Sequence, residues 1–290
     1  MTKMWLIFAL LNPVADAFRS VFAKKASKDY SPLVIAWANN FLPVIIFSPF
    51  LFFIDIQINP KFVLGFTGTW LINVAATILY MKAIREGEIS VVMPMLSFTP
   101  VFLLITSPII VGEFPNGYGV SGVLLVVTGS YILHSENRKD FWAPFKSILQ
   151  QKGTRLMLLV AFLFSFSSNF DKVAIQSSSV IQHIVFANIF LFASFSVINI
   201  YKKNHLELKR KPGTARKNLL VISLFTASMF VFHLFAISMT LVVYVIALKR
   251  LSGLIAVLLG KLFFNEGNIK NRLTGAFIMS IGVFLIVFWG

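Results

Sequence analysis

The stretch EFPNGYGVSGVLLVVTG (113–129) returns as EGNIKNRLTGAFIMSIG (266–282), with Glu113, Gly122 and Gly129 matched by Glu266, Gly275 and Gly282 at identical spacing. Such a recurrence over a long interval marks an internal repeat and sets the organisation of the whole chain. The two glycines of each copy fall on one helical face, where a missing side chain lets a second helix approach closely, so they read as packing residues. Each glutamate precedes a helix start, where a carboxylate complements exposed backbone amides and the positive end of the dipole, so it reads as structural.

Further echoes lie upstream. Trp37-Ala38-Asn39-Asn40-Phe41-Leu42 is answered by Phe186-Ala187-Asn188-Ile189-Phe190-Leu191, and Phe22, Lys24 and Ala26 by Phe170, Lys172 and Ala174. The chain therefore divides into a first unit over 1–134 and a second over 155–290, joined by a polar connection at 135–154. Composition says what the units are made of. With 57% apolar residues and 32 phenylalanines, the chain exceeds what a water-soluble core uses. About 20 apolar residues of helix span the hydrocarbon layer. Stretches of that kind fall near 4–23, 32–54, 62–82, 89–111, 118–134, 155–175, 179–201, 218–238, 242–264 and 272–289. The fold class expected is an all-α integral membrane protein of about ten transmembrane helices, arranged as two five-helix repeats.

An odd number of helices per unit inverts the second repeat relative to the first, and the cations agree. Lys24, Lys25, Lys28, Lys82 and Arg85 follow the first and third spans, whereas Lys202, Lys203, Lys209, Arg210, Lys211, Arg216 and Lys217 follow the seventh, and Lys270 and Arg272 the ninth. The connections after the second and fourth spans hold only Lys61. Opposite bias in the two units puts all the basic connections on one face, which the positive-inside rule makes cytoplasmic, with both termini outside. Asp16 and Arg19 interrupt the first apolar run, which therefore reads as a membrane helix and not as a cleaved signal. The +15 net charge sits mostly in these short connections and is no sign of nucleic-acid binding. The absence of cysteine excludes disulfides and thiolate metal sites.

Against this apolar background Lys249 and Arg250 stand together inside Leu241–Phe264. Each costs roughly 2.5–3.5 kcal/mol near the centre of a membrane helix unless acids, water or an anionic ligand offset it. The membrane-level acids Asp16 and Asp171 do not cover Arg19, Lys172, Lys249 and Arg250. Arginine cannot shed its proton, so a wet or anionic environment is demanded.

On the paired Glu…Gly…Gly blocks, and on Ala247-Leu248-Lys249-Arg250-Leu251-Ser252 leading to Leu259-Gly260-Lys261-Leu262-Phe263-Phe264-Asn265-Glu266, the chain resembles the ten-helix, EamA-like type of the drug/metabolite transporter superfamily over nearly its whole length. The Lys249-Arg250 pair is also similar to that of the plastidic phosphate translocators, in which such a pair contacts substrate phosphate. The resemblance implies a central cavity enclosed by helices one to four and six to nine, with the fifth and tenth outside. The first helix departs from the pattern, carrying Asn12-Pro13 and Asp16 where a Trp-Gly start is frequent. Family members usually have cytoplasmic termini, opposite to the charge reading.

Asn12, Asp16 and Arg19 share one helical face, and Ser165, Ser168, Asn169 and Lys172 another, and both faces are expected to point inward. The substrate-binding candidates are Lys249, Arg250, Asp16, Arg19, Lys172, Asn12 and Tyr244. Plainer readings stand beside them: Asp16 and Arg19 neutralise each other, Asp171 and Lys172 snorkel to the headgroups, and His183 and His233, without partners at metal-ligand spacing, serve packing or hydrogen bonding. Ser177-Ser178-Ser179 reads as a turn. No catalytic constellation, phosphate-cradling loop or cofactor site is recognisable. The function expected is a secondary transporter, not an enzyme, moving a small anionic organic metabolite across the plasma membrane by alternating access. The alternatives are an exporter of amino acids or of neutral or cationic compounds, and a non-transporting membrane scaffold. The partners expected are a small-molecule substrate and the lipid bilayer, with no nucleic acid, and a homodimer stays open.

Overall fold

The computed structural model describes residues 4–87, 92–134, 150–210, 213–264 and 269–290. Among the described residues every regular element is a helix: α1 (Met4–Ala26), α2 (Pro32–Asn39), α3 (Phe41–Phe47), α4 (Pro60–Arg85), α5 (Thr99–Ile110), α6 (Gly117–His134), α7 (Lys152–Gln176), α8 (Val180–Tyr201), α9 (His205–Arg210), α10 (Gly213–Met239), α11 (Val242–Lys249), α12 (Leu251–Phe264) and α13 (Ile269–Trp289). Short 3₁₀ turns at Ser48–Phe52 and Met93–Phe98 extend α3 and lead into α5. Among the described residues seven segments are long and apolar enough to cross a membrane, and Gly117–Leu133 and Thr274–Trp289 are shorter apolar helices. The expected span 242–264 instead consists of two pieces, α11 and α12, meeting at Arg250.

Local chemistry sets these boundaries. Asn59 caps α4 by accepting from the Phe62 amide at 2.9 Å, and Ser179 caps α8 by accepting from Gln182 at 3.1 Å. The serine run 177–179 is thus the turn between α7 and α8. The second span breaks at Asn40 because Pro43 lacks an amide hydrogen and its ring crowds the carbonyl one turn back. The Leu42 amide is satisfied across the interface by Ser223 Oγ at 2.7 Å. At Arg250 the ladder tightens to three-residue bonds, Arg250 N to Ala247 O at 3.0 Å and Gly253 N to Arg250 O at 3.1 Å. The offset that carries Glu113 to Glu266 carries Ser97 to Arg250, so both repeats are irregular at the corresponding point of their fourth span.

Helix packing repeats in pairs. α4 packs along α7 as α1 packs along α10; α5 meets α7 as α12 meets α1; α8 lies against α2, and α6 against α13. The last pair is antiparallel, with Gly122 opposite Gly282 and Gly129 opposite Gly275; a Cβ on Gly129 would sit 2.5 Å from the Gly275 carbonyl oxygen. Large apolar side chains such as Phe52, Phe53, Ile109 and Val197 point outward, as a lipid-facing surface requires. Every residue from Val242 to Leu248 is buried, because α11 is surrounded by α1, α5, α6, α7, α10 and α12. It is the central helix of the molecule.

The two ends of the bundle differ in charge. Lys152 pairs with Glu86 at 3.1 Å and the Ser31 amide donates to Glu207 at 2.8 Å, which gathers the connections after α1, α4 and α8 and the start of α7 on one face. On the opposite face Gln57 and Gln182 bond reciprocally, Asn59 donates to the Ser177 carbonyl, and Asn116 donates to the Trp289 carbonyl near the C-terminus. The basic connections described thus share a face away from the chain's C-terminal end.

Candidate functional site

Lys249 ends α11, and Arg250 occupies the break, so both cations project from the most enclosed element of the fold. The charges facing Lys249 are Asp16 and Arg19 from α1, the adjacent Arg250, and Asp171 from α7. Ser252 of α12 also faces Asp16, and Tyr80 of α4 faces Arg19. Asp16 and Arg19 close on each other, with Nε and Nη2 donating to Oδ1 at 3.0 and 2.7 Å. Their side chains keep 13% and 26% of their accessible surface. Among the described residues neither Lys249 nor Arg250 lies within salt-bridge distance of a carboxylate. Arg250 Nε is buried without an acceptor. With Asp16 taken by Arg19, this cluster carries an excess of positive charge and a buried donor without a partner.

The other candidates stand elsewhere. Lys172, 6% exposed, reaches Glu113 at 2.9 Å and donates to the carbonyls of Ile237 and Thr240 at 2.7 and 2.8 Å. The second carboxylate oxygen of Glu113 accepts from the Val242 amide at 3.0 Å. Lys172 therefore satisfies the C-terminal carbonyls of α10 while Glu113 satisfies the first turn of α11, and the ion pair joins them. Glu113 does serve a helix start, but of α11 and not of the helix that follows it; Asn116 opens α6 by accepting from Gly119 at 2.8 Å. Glu266 lies outside the described residues. Tyr244 presses its hydroxyl into the notch at Gly119, and Asn12 donates to the Met229 carbonyl at 3.0 Å.

The polar face of α7 is buried but is largely occupied by protein partners. Asn169 bonds Ser107 and Thr106 of α5 at 2.8 and 3.0 Å, and Ser165 and Ser168 return to carbonyls of their own helix. Asp171 is held by protein side chains. It accepts from Thr69 at 2.8 Å and meets His183 Nε2 at 2.8 Å. Asn73 and Ser167 complete a network around Thr69. This cluster has a sequence signal in hindsight: Asp171 and His183 flank the Ser177–Ser179 turn at similar distances, where antiparallel neighbours meet. Tyr80 and Ser252 have no such local signal. A surface recess of about 740 Å³ along α4, lined chiefly by apolar residues such as Pro60, Val63, Leu64 and Leu71, takes in none of these groups.

The profile of the EamA-like transporter family matches residues 3–135 and again 151–288. The chain belongs to the EamA-like transporter family. Two successive matches correspond to the two repeat units, and membership makes this an integral, multi-pass membrane transporter of small molecules. Among solved structures, one crystal structure of a protein superposes with a TM-score of 0.74 over 99% of this chain and 98% of its own, at 11% identity, which shows a shared fold. No curated protein matches the sequence.

Proposed function

We propose that this EamA-like transporter carries a small anionic organic metabolite by alternating access, its ten crossings forming two inverted five-helix repeats with α11 and α12 as one interrupted span. The observation that carries the reading is the pair Lys249 and Arg250: central, partly accessible, without a carboxylate in contact, and with Arg250 Nε unpaired. An anionic group reaching this pair supplies the missing acceptor, and a charge-assisted contact there is strong. The similarity of the pair to that of phosphate translocators favours a phosphorylated substrate. Asp16 and Arg19 form the facing wall, and Asn12, Tyr244 and Lys172 hold the helices that frame it. Lys172 and Glu113 tie the α10–α11 junction at the face opposite the basic connections, so their separation is a natural step in opening that end. The basic face is assigned to the cytoplasm and the membrane to the plasma membrane. In an exporter of amino acids or of neutral or cationic compounds the pair would form gating ion pairs, which the absence, among the described residues, of a carboxylate contact to either cation disfavours.

The test is a thermal-shift screen of purified protein against phosphorylated sugars, carboxylates, amino acids and nucleotides, since a ligand of the folded state raises its stability. Anions are expected to stabilise the wild type, and Arg250→Gln and Lys249→Gln to lose at least about tenfold in affinity, roughly 1.4 kcal/mol. The stability of the unliganded variants should change little, because each removes a cation without a carboxylate partner. Anion stabilisation that survives both substitutions, or variants that no longer insert and fold, would refute the assignment.

A further inference from the structure

We infer that a pocket between the two repeats, on the basic face, holds an anionic glycerophospholipid, one acyl chain lying inside it and the headgroup resting on Lys202 and Lys203. The pocket has a volume of about 240 Å³ and opens between α2 of the first repeat and α8 of the second. Its walls are Val34 and Trp37 of α2, Phe192 and Ile200 of α8 and Leu208 of α9. A hydrocarbon chain fits such a lining, and a water-soluble metabolite does not. The two polar members of the lining differ. Ser196 is satisfied, accepting from Trp37 Nε1 at 2.9 Å and donating to the Phe192 carbonyl at 2.7 Å. Asn199 is 5% exposed and gives its amide hydrogens to the carbonyls of Leu33 at 2.9 Å and Phe195 at 2.8 Å. Those two bonds fix the orientation of the amide and leave Oδ1 without a donor.

The two lysines stand at the mouth. Asn199 and Ile200 belong to the last turn of α8 and Leu208 to α9, so the link that carries Lys202 and Lys203 joins two walls of the pocket. That link is a tight helix stop, in which Asn204 N donates to the Asn199 carbonyl and Lys203 N to the Ile200 carbonyl, both at 3.0 Å. Such a stop needs a left-handed residue and takes glycine by preference. Here Lys203 holds φ at 58°, the one non-glycine residue with positive φ among the described residues. Packing does not impose the strain, since Lys202 and Lys203 are both exposed. Complementing the negative end of the α8 dipole asks for a cation near the last turn, but not for one at the strained position. A lysine kept where glycine fits better points to a use for its charge. The carboxylate of Glu207, next to Leu208, is turned to the Ser31 amide at 2.8 Å.

An apolar slot beside two cations at the membrane surface selects an anionic lipid over a free phosphate, because only the lipid brings chain and charge together. A glycerol headgroup adds the hydroxyl donor that Asn199 Oδ1 lacks, so phosphatidylglycerol is the chemistry that meets all three features. Its occupancy touches α2 and α8 at once, bridges the two repeats at the basic face and stabilises the folded chain. This site is separate from Lys249 and Arg250 and does not depend on the anion reading.

The experiment is native mass spectrometry of the purified full chain, delipidated in detergent and titrated with phosphatidylglycerol, phosphatidylcholine or phosphatidylmethanol of one chain length, with thermal unfolding followed in parallel. Wild type should hold phosphatidylglycerol at least about tenfold more tightly than phosphatidylcholine, and Lys202→Gln and Lys203→Gln should each weaken it about fivefold. Phosphatidylmethanol, with the same charge and no hydroxyl, should bind about threefold more weakly. Glycerol 3-phosphate, the anion without the chain, should not raise the unfolding temperature. Lys203→Gly separates recognition from structure. Glycine relaxes the left-handed position, so the lipid-free variant should unfold at a higher temperature than wild type while its phosphatidylglycerol affinity falls about fivefold. Ile200→Trp, which fills the pocket, should weaken both phosphatidylglycerol and phosphatidylcholine, and Lys61→Gln, exposed on the opposite face, should bind as wild type. Equal retention of phosphatidylglycerol and phosphatidylcholine, lysine variants that bind as wild type, or an equal loss in Lys61→Gln overturns the site. Binding indifferent to Ile200→Trp, or stabilisation by glycerol 3-phosphate, overturns the seating of a lipid chain, and equal affinity for phosphatidylmethanol overturns the contact to Asn199.

Discussion

Breaking the contact between Lys172 and Glu113 gives a sharp test of how the two repeats are held together at one face. Lys172 Nζ makes three short contacts, to Glu113 and to the carbonyls of Ile237 and Thr240, and is 6% exposed. Lys172→Met keeps the stem but deletes all three contacts, leaving a largely buried glutamate whose remaining partner is the Val242 amide. Removing one partner of a buried pair costs about 3–5 kcal/mol, much of it for the charge left behind. Glu113→Gln keeps one acceptor for either Val242 or Lys172 and should cost about 1.5–3 kcal/mol, the range for a hydrogen bond to a charged group. In Lys172→Met/Glu113→Gln the stranded charge is gone, so the double variant should be more stable than the sum of the single losses by about 1.5–3 kcal/mol. The assay is reversible unfolding in mixed micelles of increasing SDS, with wild type, both singles and the double compared as a cycle. Additivity within about 0.5 kcal/mol would show that the two side chains are energetically independent and would refute the latch.

Three more outcomes are expected. Gly129→Val and Gly275→Val should separate α6 from α13 and reduce the monodisperse yield on size-exclusion chromatography, since even a Cβ would meet the opposing carbonyl at 2.5–2.6 Å, whereas Gly117→Ala and Gly213→Ala, with open space around them, should behave as wild type. Arg250→Lys should recover only part of the anion affinity lost in Arg250→Gln, measured by the same thermal shift, because a compact ammonium cannot reproduce a two-pronged contact. A single cysteine at Ser147 should resist an impermeant thiol reagent in intact cells and react after lysis, readable without background because the chain has no cysteine, and labelling of intact cells would reverse the assigned orientation.

The sequence by itself determined the membrane class, the repeat and the placement of basic connections. These rest on composition, spacing and charge order, which are local properties that survive without knowledge of the fold. The glycine blocks were legible for the same reason: only a close helix approach explains such spacing, and Gly129 does meet Gly275 across α6 and α13. Lys249 and Arg250 could be singled out because two cations in an apolar stretch are costly wherever the helix lies. Only the tertiary structure decided what those side chains meet. Lys172 shares a helical face with Asn169, yet its long stem reaches the α10–α11 junction, and no pattern within α7 tells of carbonyls on another helix. For His183 the sequence allowed packing or hydrogen bonding, and the partner, Asp171, comes from the other arm of a helical turn. Likewise Asp16 is assigned to Arg19 rather than to Lys249 by the rotation of α1 against α11 and α12, a relation between helices that each sequence segment leaves free. Periodicity fixes which face of a helix is apolar; which polar groups face one another depends on helix rotation and depth, and those are set by packing the whole bundle at once.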